Sequence, residues 1–404
     1  MKLFIKTLLI AAVATSFATS NQKAATAPSA TNGDQFTAIT ASIIGTHTTA
    51  CIGSDDRWYV LYELLLTNCK AVDATLEQIT VIDASDPGRI LATFKKDELI
   101  KSLRTLGARP TTDNKLASGF SKLLLVSLTF DKKSAIPATV KHRIQGLAAN
   151  SPAAQKPAAI DYTIAELSLT KQTAPVMSPP LQGGAWLVVN GTGPHPGAHR
   201  GALQTVNGTL VNSQRFAIDW MMADDEGRLV NGDHKVLENW VGYGQSILAA
   251  ADGVVIQVEG NLPDQIPGTL PDPNSINLTN VDGNYVVIDH GHGIFTFYAH
   301  LKPGSLAVGV GDSVKAGDQL GALGNTGNTS APHLHFHVMS GSSSLGSDGL
   351  PFVLDNFHLQ GSHNLNQLDG ALDGKASLLI KSKRKNLSRN QQLPLDLNLV
   401  HFTD

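Results

Sequence analysis

Three histidines alternate through an apolar run, Pro332-His333-Leu334-His335-Phe336-His337-Val338, directly after the turn-forming stretch Gly324-Asn325-Thr326-Gly327-Asn328-Thr329. Successive side chains of an extended chain point to opposite faces. His333, His335 and His337 therefore share one face, and Leu334, Phe336 and Val338 take the other. Imidazole is the commonest protein ligand for zinc and a general acid or base near neutral pH. Three of them on one wall of a strand predict a metal site rather than a polar edge that happens to be histidine.

A second signal lies upstream. Phe216-Ala217-Ile218-Asp219-Trp220 places a carboxylate inside an apolar strand, and burying an unpaired carboxylate is costly, so a nearby cation is expected. Between these stretches, Asn284 to Gly291 and Phe295 to Leu301 read as a hairpin with His300 at the end of its second strand. Short strands broken by glycine turns follow, from Val308 to Gly324.

The 404 residues allow two or three domains. A net charge of -3 with 16% charged residues gives no electrostatic case for nucleic acid or an anionic membrane as main partner. Lys2 and Lys6, the apolar run from Thr7 to Phe17, and Ala18-Thr19-Ser20 have the layout of a secretory signal, followed by a flexible leader. No later segment reaches the roughly 18 apolar residues of a spanning helix. An exported protein, periplasmic or secreted, meets oxidising conditions, so Cys51 and Cys69 are expected to form a disulfide. From Phe36 to Leu169, β-rich runs such as Trp58 to Leu66 and Lys122 to Phe130 alternate with turns. They predict an immunoglobulin-like antiparallel β-sandwich without catalytic residues, serving as a positioning or binding module.

The order Asp219; Ile247 to Val255; Tyr285 to Gly291; Tyr298-Ala299-His300-Leu301; Val310 to Gly317; Gly324-Asn325-Thr326-Gly327; His333-Leu334-His335-Phe336 resembles the lysostaphin-like zinc endopeptidases over roughly residues 183 to 340. The resemblance implies an all-β protein whose second half is a duplicated-hybrid-motif domain, an antiparallel sheet with one Zn2+ in its groove, cutting peptide cross-links of bacterial peptidoglycan. It further implies Asp219 and His335 as metal ligands and His300 and His333 as the catalytic pair. His337 stands where the family has another residue and is open between a groove position and support for a ligand. The resulting division is a signal at 1–20, a leader at 21–34, the sandwich at 35–170, a linker at 171–182, the zinc peptidase domain at 183–345 and a C-terminal extension at 346–404. The alternative reading is a catalytically inactive wall-binding or amidase-activating scaffold of the same fold.

One position departs from the pattern. The family has its first histidine ligand four residues before the aspartate, and Arg215 stands there. The nearest upstream imidazoles are His199 and His195. A hairpin around Asn207-Gly208 would fold them back along the Asp219 strand. A two-residue turn sets His199 opposite Phe216, on the wrong face, whereas a three-residue loop or a bulge sets it opposite Ala217, on the face of Asp219. His199 is the expected ligand, with the proline-flanked His195 as the alternative. The loops 260–280 and 224–239 read as lids over the groove or as plain surface.

Overall fold

The run Trp58–Asn68 is apolar at nearly every position because both of its faces are covered. The computed structural model describes residues 34–45, 48–193, 197–378 and 387–403. Within it the side chains of this strand alternate between two cores: Val60, Tyr62, Leu64 and Leu66 enter one, and Tyr59 and Leu61 enter the other. The first core is sandwiched between two antiparallel sheets. One has the order Ile39–Ile44, Trp58–Asn68, Ser121–Phe130, Leu103–Arg104; the other has the order Ala158–Ser168, Thr139–Ala148, Ala74–Asp83, Ile90–Lys95. The second core belongs to the C-terminal half, so a single strand packs against two layers. Chain from Thr37 to Asp404 clusters as one unit.

The two cysteines do not pair, contrary to expectation: Cys51 is buried and free, Cys69 exposed and free beside Thr40. The reason is register. Cys51 lies opposite Tyr59 at one end of the long strand, and Cys69 follows Asn68 at the other. Ten residues of extended chain, at roughly 3.3 Å each, separate Tyr59 from Cys69, far beyond the ~7 Å between Cα atoms that a disulfide spans.

In the C-terminal half, a sheet with twelve strands among the described residues carries Ala185–Val189, Ile218–Ala223, Leu334–Met339, Phe295–Leu301, Asn284–Asp289 and Gly253–Glu259 side by side. Ile218, Trp220, Leu334, Phe336 and Val338 face the core, which leaves Asp219 and the histidine ladder on the opposite face. The strands Val353–Ser362 and Asn398–His401 extend the same sheet beyond Ala185–Val189. Between them runs the helix Leu365–Leu372, closed at its start by a capping box of Asn364 and Gln367. Among the described residues, no helix is long and apolar enough to cross a membrane.

The hairpin around Asn207-Gly208 forms, but with a two-residue turn: Val206 faces Thr209, and the turn residues have φ of 50° and 77°. That is the register expected to turn His199 to the wrong face. Its ladder ends at Gln204. His199 lies outside it, in the 3-10 turn Ala198–Gly201, so its direction is set by that turn and not by strand alternation. The signal-like segment, all of the leader before Asp34, His195 and the basic run from Lys381 to Lys385 lie outside the described residues.

Candidate metal centre and active site

Asp219 sits directly opposite His335 across the Ile218–Ala223 and Leu334–Met339 strands. Opposed residues of an antiparallel pair share a face, so alternation on both strands brings the carboxylate and the imidazole together. His335 Nδ1 lies 2.9 Å from Asp219 Oδ1. The 3-10 turn presents His199 from above the sheet, with Nε2 at 3.4 Å from Asp219 Oδ2. His199, Asp219 and His335 are all buried, and one ligand atom from each lies within 4.8 Å of the others.

Hydrogen bonding sharpens the chemistry of these donors. His199 Nδ1 is 3.3 Å from the carbonyl of Ala217, and a carbonyl only accepts, so the ring proton is on Nδ1 and Nε2 keeps a lone pair. That lone pair faces the carboxylate. Two acceptors at 3.4 Å repel unless a cation lies between them. Two donors at tetrahedral positions about 2.0 Å from one zinc ion are themselves roughly 3.3 Å apart, so the spacing fits a metal. Burial pushes His199 down to about 4, against the pull of Asp219, which keeps it neutral as a ligand must be. Burial also pushes the Asp219 carboxyl up, but His199 and His333 beside it outweigh that and hold it well below the ordinary carboxylate range.

Two more imidazoles stand over this set. His333 Nε2 is 3.3 Å from Asp219 Oδ1, and the His300 and His333 rings are 4.7 Å apart. In a regular strand His300 would face away, because its neighbour Ala299 is the residue opposite His335. A bulge corrects this: Asn284 faces Leu301 and Tyr285 faces Ala299, leaving His300 as the extra residue, with φ of 64°. A left-handed conformation at a histidine stores strain, and a bulge that re-aims a side chain is a device found beside active sites. Both rings are fixed the same way. His300 Nδ1–H donates to the Thr326 carbonyl and His333 Nδ1–H to the Ala331 carbonyl, each at 2.7 Å. In both rings Nε2 is left to accept or deliver a proton.

His337 Nδ1 lies 2.9 Å from His335 Nε2, so His337 braces a neighbour on the ladder rather than lining the cleft. Asn190 holds the other side: with φ of 59° it donates Nδ2–H to Asp219 Oδ2 at 2.7 Å. In sequence Asn190 simply stands ahead of a glycine. No local signal links it to a carboxylate 29 positions later. Arg215 is committed elsewhere, to Glu63 and Asp348. The centre opens into a cleft of about 360 Å³, whose lining includes Leu270 from the 260–280 loop and Leu372 from the C-terminal helix. No residue from the 224–239 loop lines it.

Residues 233–346 match the profile described as peptidase family M23. This segment contains His300, His333 and His335 but begins after His199 and Asp219. An uncharacterized metalloprotease of Buchnera aphidicola subsp. Baizongia pistaciae is 32% identical over 108 residues, 27% of this chain and 23% of the relative. The peptidoglycan DD-endopeptidase ShyA of Vibrio cholerae is 44% identical over 57 residues, 14% of this chain and 13% of the relative. The glycyl-glycine endopeptidase ALE-1 of Staphylococcus capitis is 29% identical over 164 residues, 40% of each chain. The chain thus spans less than half the length of these curated relatives. An Asp219–His335 pair across two strands, an upstream imidazole facing the same carboxylate and a matching segment that supplies the remaining histidines lead to one conclusion: the C-terminal half of the chain carries a segment similar to peptidase family M23.

Proposed function

We propose that this protein is an exported zinc metalloendopeptidase that hydrolyses peptide bonds in bacterial peptidoglycan cross-links, with His199, Asp219 and His335 as the metal ligands. The observation that carries the reading is the meeting of three donor side chains from three separate segments within 4.8 Å. The names of the ShyA and ALE-1 relatives support peptidoglycan as substrate. When bound, zinc lowers the pKa of a coordinated water toward neutrality and polarises the scissile carbonyl.

The chain's own residues supply the rest. Asn190 and His337 orient Asp219 and His335 through the hydrogen bonds described above, the outer support that ligand geometry depends on. His300 and His333, each with Nδ1 anchored on a carbonyl and Nε2 left to exchange a proton, take the water proton, steady the developing oxyanion and return a proton to the leaving amine. The cleft of about 360 Å³ lies alongside them. Retention of the whole donor set and both further imidazoles supports a hydrolase over an inactive scaffold of this fold.

The N-terminal half is read as immunoglobulin-like. Its chain visits one sheet for Ile39–Ile44 and Trp58–Asn68, crosses for Ala74–Asp83 and Ile90–Lys95, returns for Leu103–Arg104 and Ser121–Phe130, and ends opposite with Thr139–Ala148 and Ala158–Ser168. This order supports the assignment.

The test is metal analysis of purified protein alongside release of muropeptides from peptidoglycan. About one zinc per chain is expected, with turnover lost to a chelator and restored by zinc. Full turnover after verified metal loss overturns the mechanism.

A further inference from the structure

Glu63 is a carboxylate with no exposed surface in the middle of the strand whose alternate residues Tyr59 and Leu61 pack against the C-terminal half. Period two puts Glu63 on that same outward face. There it meets two buried guanidinium groups. Arg200 Nη1 donates to Glu63 Oε1, and Arg200 Nη2 donates at 2.8 Å to both the Tyr62 and Val126 carbonyls of the sandwich. Arg215 donates Nη2–H to Glu63 Oε2 at 2.8 Å and pairs through Nη1 with Asp348 at 2.7 Å. Two anions balance two cations, so the network is neutral.

Arg200 adjoins His199 in the turn Ala198–Gly201. Every guanidinium contact of Arg200 above is to the sandwich, and its own carbonyl accepts from Asn212 Nδ2, which also donates to Glu63. Just downstream, Leu203 packs with Leu123 and Leu125 on the outer face of the same sandwich sheet. The turn, which has no ladder of its own, is thus tied to the N-terminal half through Arg200 and Leu203, and to the C-terminal half through Asn190, whose Oδ1 accepts from the Ala198 amide.

We infer that the N-terminal sandwich completes the metal centre: Glu63, acting through Arg200, positions the turn that presents His199. The inference rests on the reading of His199 as a ligand. Glu63 and Arg200 are positioning residues and touch neither the metal nor the substrate. The sandwich is accordingly part of the active-site framework and not only an attached binding module.

The experiment measures zinc affinity of the full chain by competition with a chromophoric chelator, and the visible absorption of the cobalt(II) form, for Glu63→Gln, Arg200→Lys and His199→Ala. Arg143→Ala, which breaks an exposed ion pair with Asp161 elsewhere on the sandwich, is the control. Glu63→Gln and Arg200→Lys, folded by circular dichroism, are expected to bind zinc about tenfold or more weakly and to shift the cobalt spectrum, while Arg143→Ala changes neither. Parent-like affinity and spectrum in either folded variant overturn the inference. Arg200→Lys keeps the buried charges balanced, so it decides the matter if Glu63→Gln does not fold. Hydrogen exchange on the parent needs no variant: amides from Arg200 to Leu203 should exchange together with those of Trp58–Asn68, and exchange more than about tenfold faster overturns the inference. His199→Ala separates the two levels of argument. Unchanged zinc affinity there refutes the ligand assignment itself, whereas its loss alongside intact affinity in Glu63→Gln refutes only the role of the sandwich.

Discussion

Two buried polar clusters share the segment from His199 to Asp219, and they are built on opposite principles. Around Glu63 the charges close on themselves: two carboxylates, two guanidinium groups, and hydrogen bonds for the remaining protons. Around Asp219 they do not. The His199 ring has its proton held on the far nitrogen by a carbonyl, so its Nε2 lone pair faces the Asp219 carboxylate. A buried network that is complete fixes structure, while one left with a lone pair facing a carboxylate is built to receive a cation. Arg200 and His199 are neighbours in sequence, and the boundary between the two clusters runs between them.

The comparison breaks most visibly at Asp219. Asp219→Ala is expected to abolish zinc binding and peptidoglycan cleavage together, because it removes the group shared by every donor. Metal content by atomic emission and muropeptide release check this, and a variant that keeps its zinc would place the ion elsewhere. Next in size, His300→Ala and His333→Ala should keep zinc near one per chain while kcat falls by about 10²–10⁴. Loss of the metal in either would make that residue a ligand instead.

The closed cluster predicts a pH dependence. Burial pushes Glu63 up, but Arg215 and Arg200 outweigh it and hold the carboxyl below its ordinary value. Its folded pKa thus lies below the unfolded one, so its contribution to stability is complete above about pH 4.3 and drains away as pH falls through the lower folded value. Glu63→Ala, which leaves two guanidinium groups against one carboxylate, should cost about 3–5 kcal/mol at pH 7 in urea unfolding. Its gap from the parent should narrow in acid. A gap independent of pH from 6 down to 3 would mean that the charge of Glu63 is not what matters. Smallest, Asn190→Ala removes one donor to Asp219 and should weaken zinc binding by about 10–100-fold while leaving the fold intact. Titration against a competing chelator measures it.

Much of this was legible in the chain. The alternation of His333, His335 and His337 and the lone Asp219 in an apolar strand define one polar and one apolar face, because the strand period is two whatever the strand pairs with. The all-β architecture follows from the same period, and the order of motifs after Asp219 led to the family. The two strands pair with Asp219 opposite His335, a register that the apolar partners Ile218, Trp220, Leu334 and Phe336 leave little room to slip.

The rest needed the third dimension. His199 reaches Asp219 by a 3-10 turn and not by the hairpin register that strand counting suggested, since a turn held by distant side chains leaves no periodic trace. His300 faces the centre only through a bulge, which breaks the alternation that sequence reasoning relies on. Cys51 and Cys69 remain apart because a long straight strand lies between them. In sequence Glu63 is one polar interruption in a run of leucines, and its meaning depends on Arg200 and Arg215, more than a hundred residues away. Local periodicity by itself determined which side chains share a face. Which faces meet, and which charges therefore close on themselves and which wait for a metal, was decided by tertiary packing, because only there do distant donors and acceptors come within bonding distance.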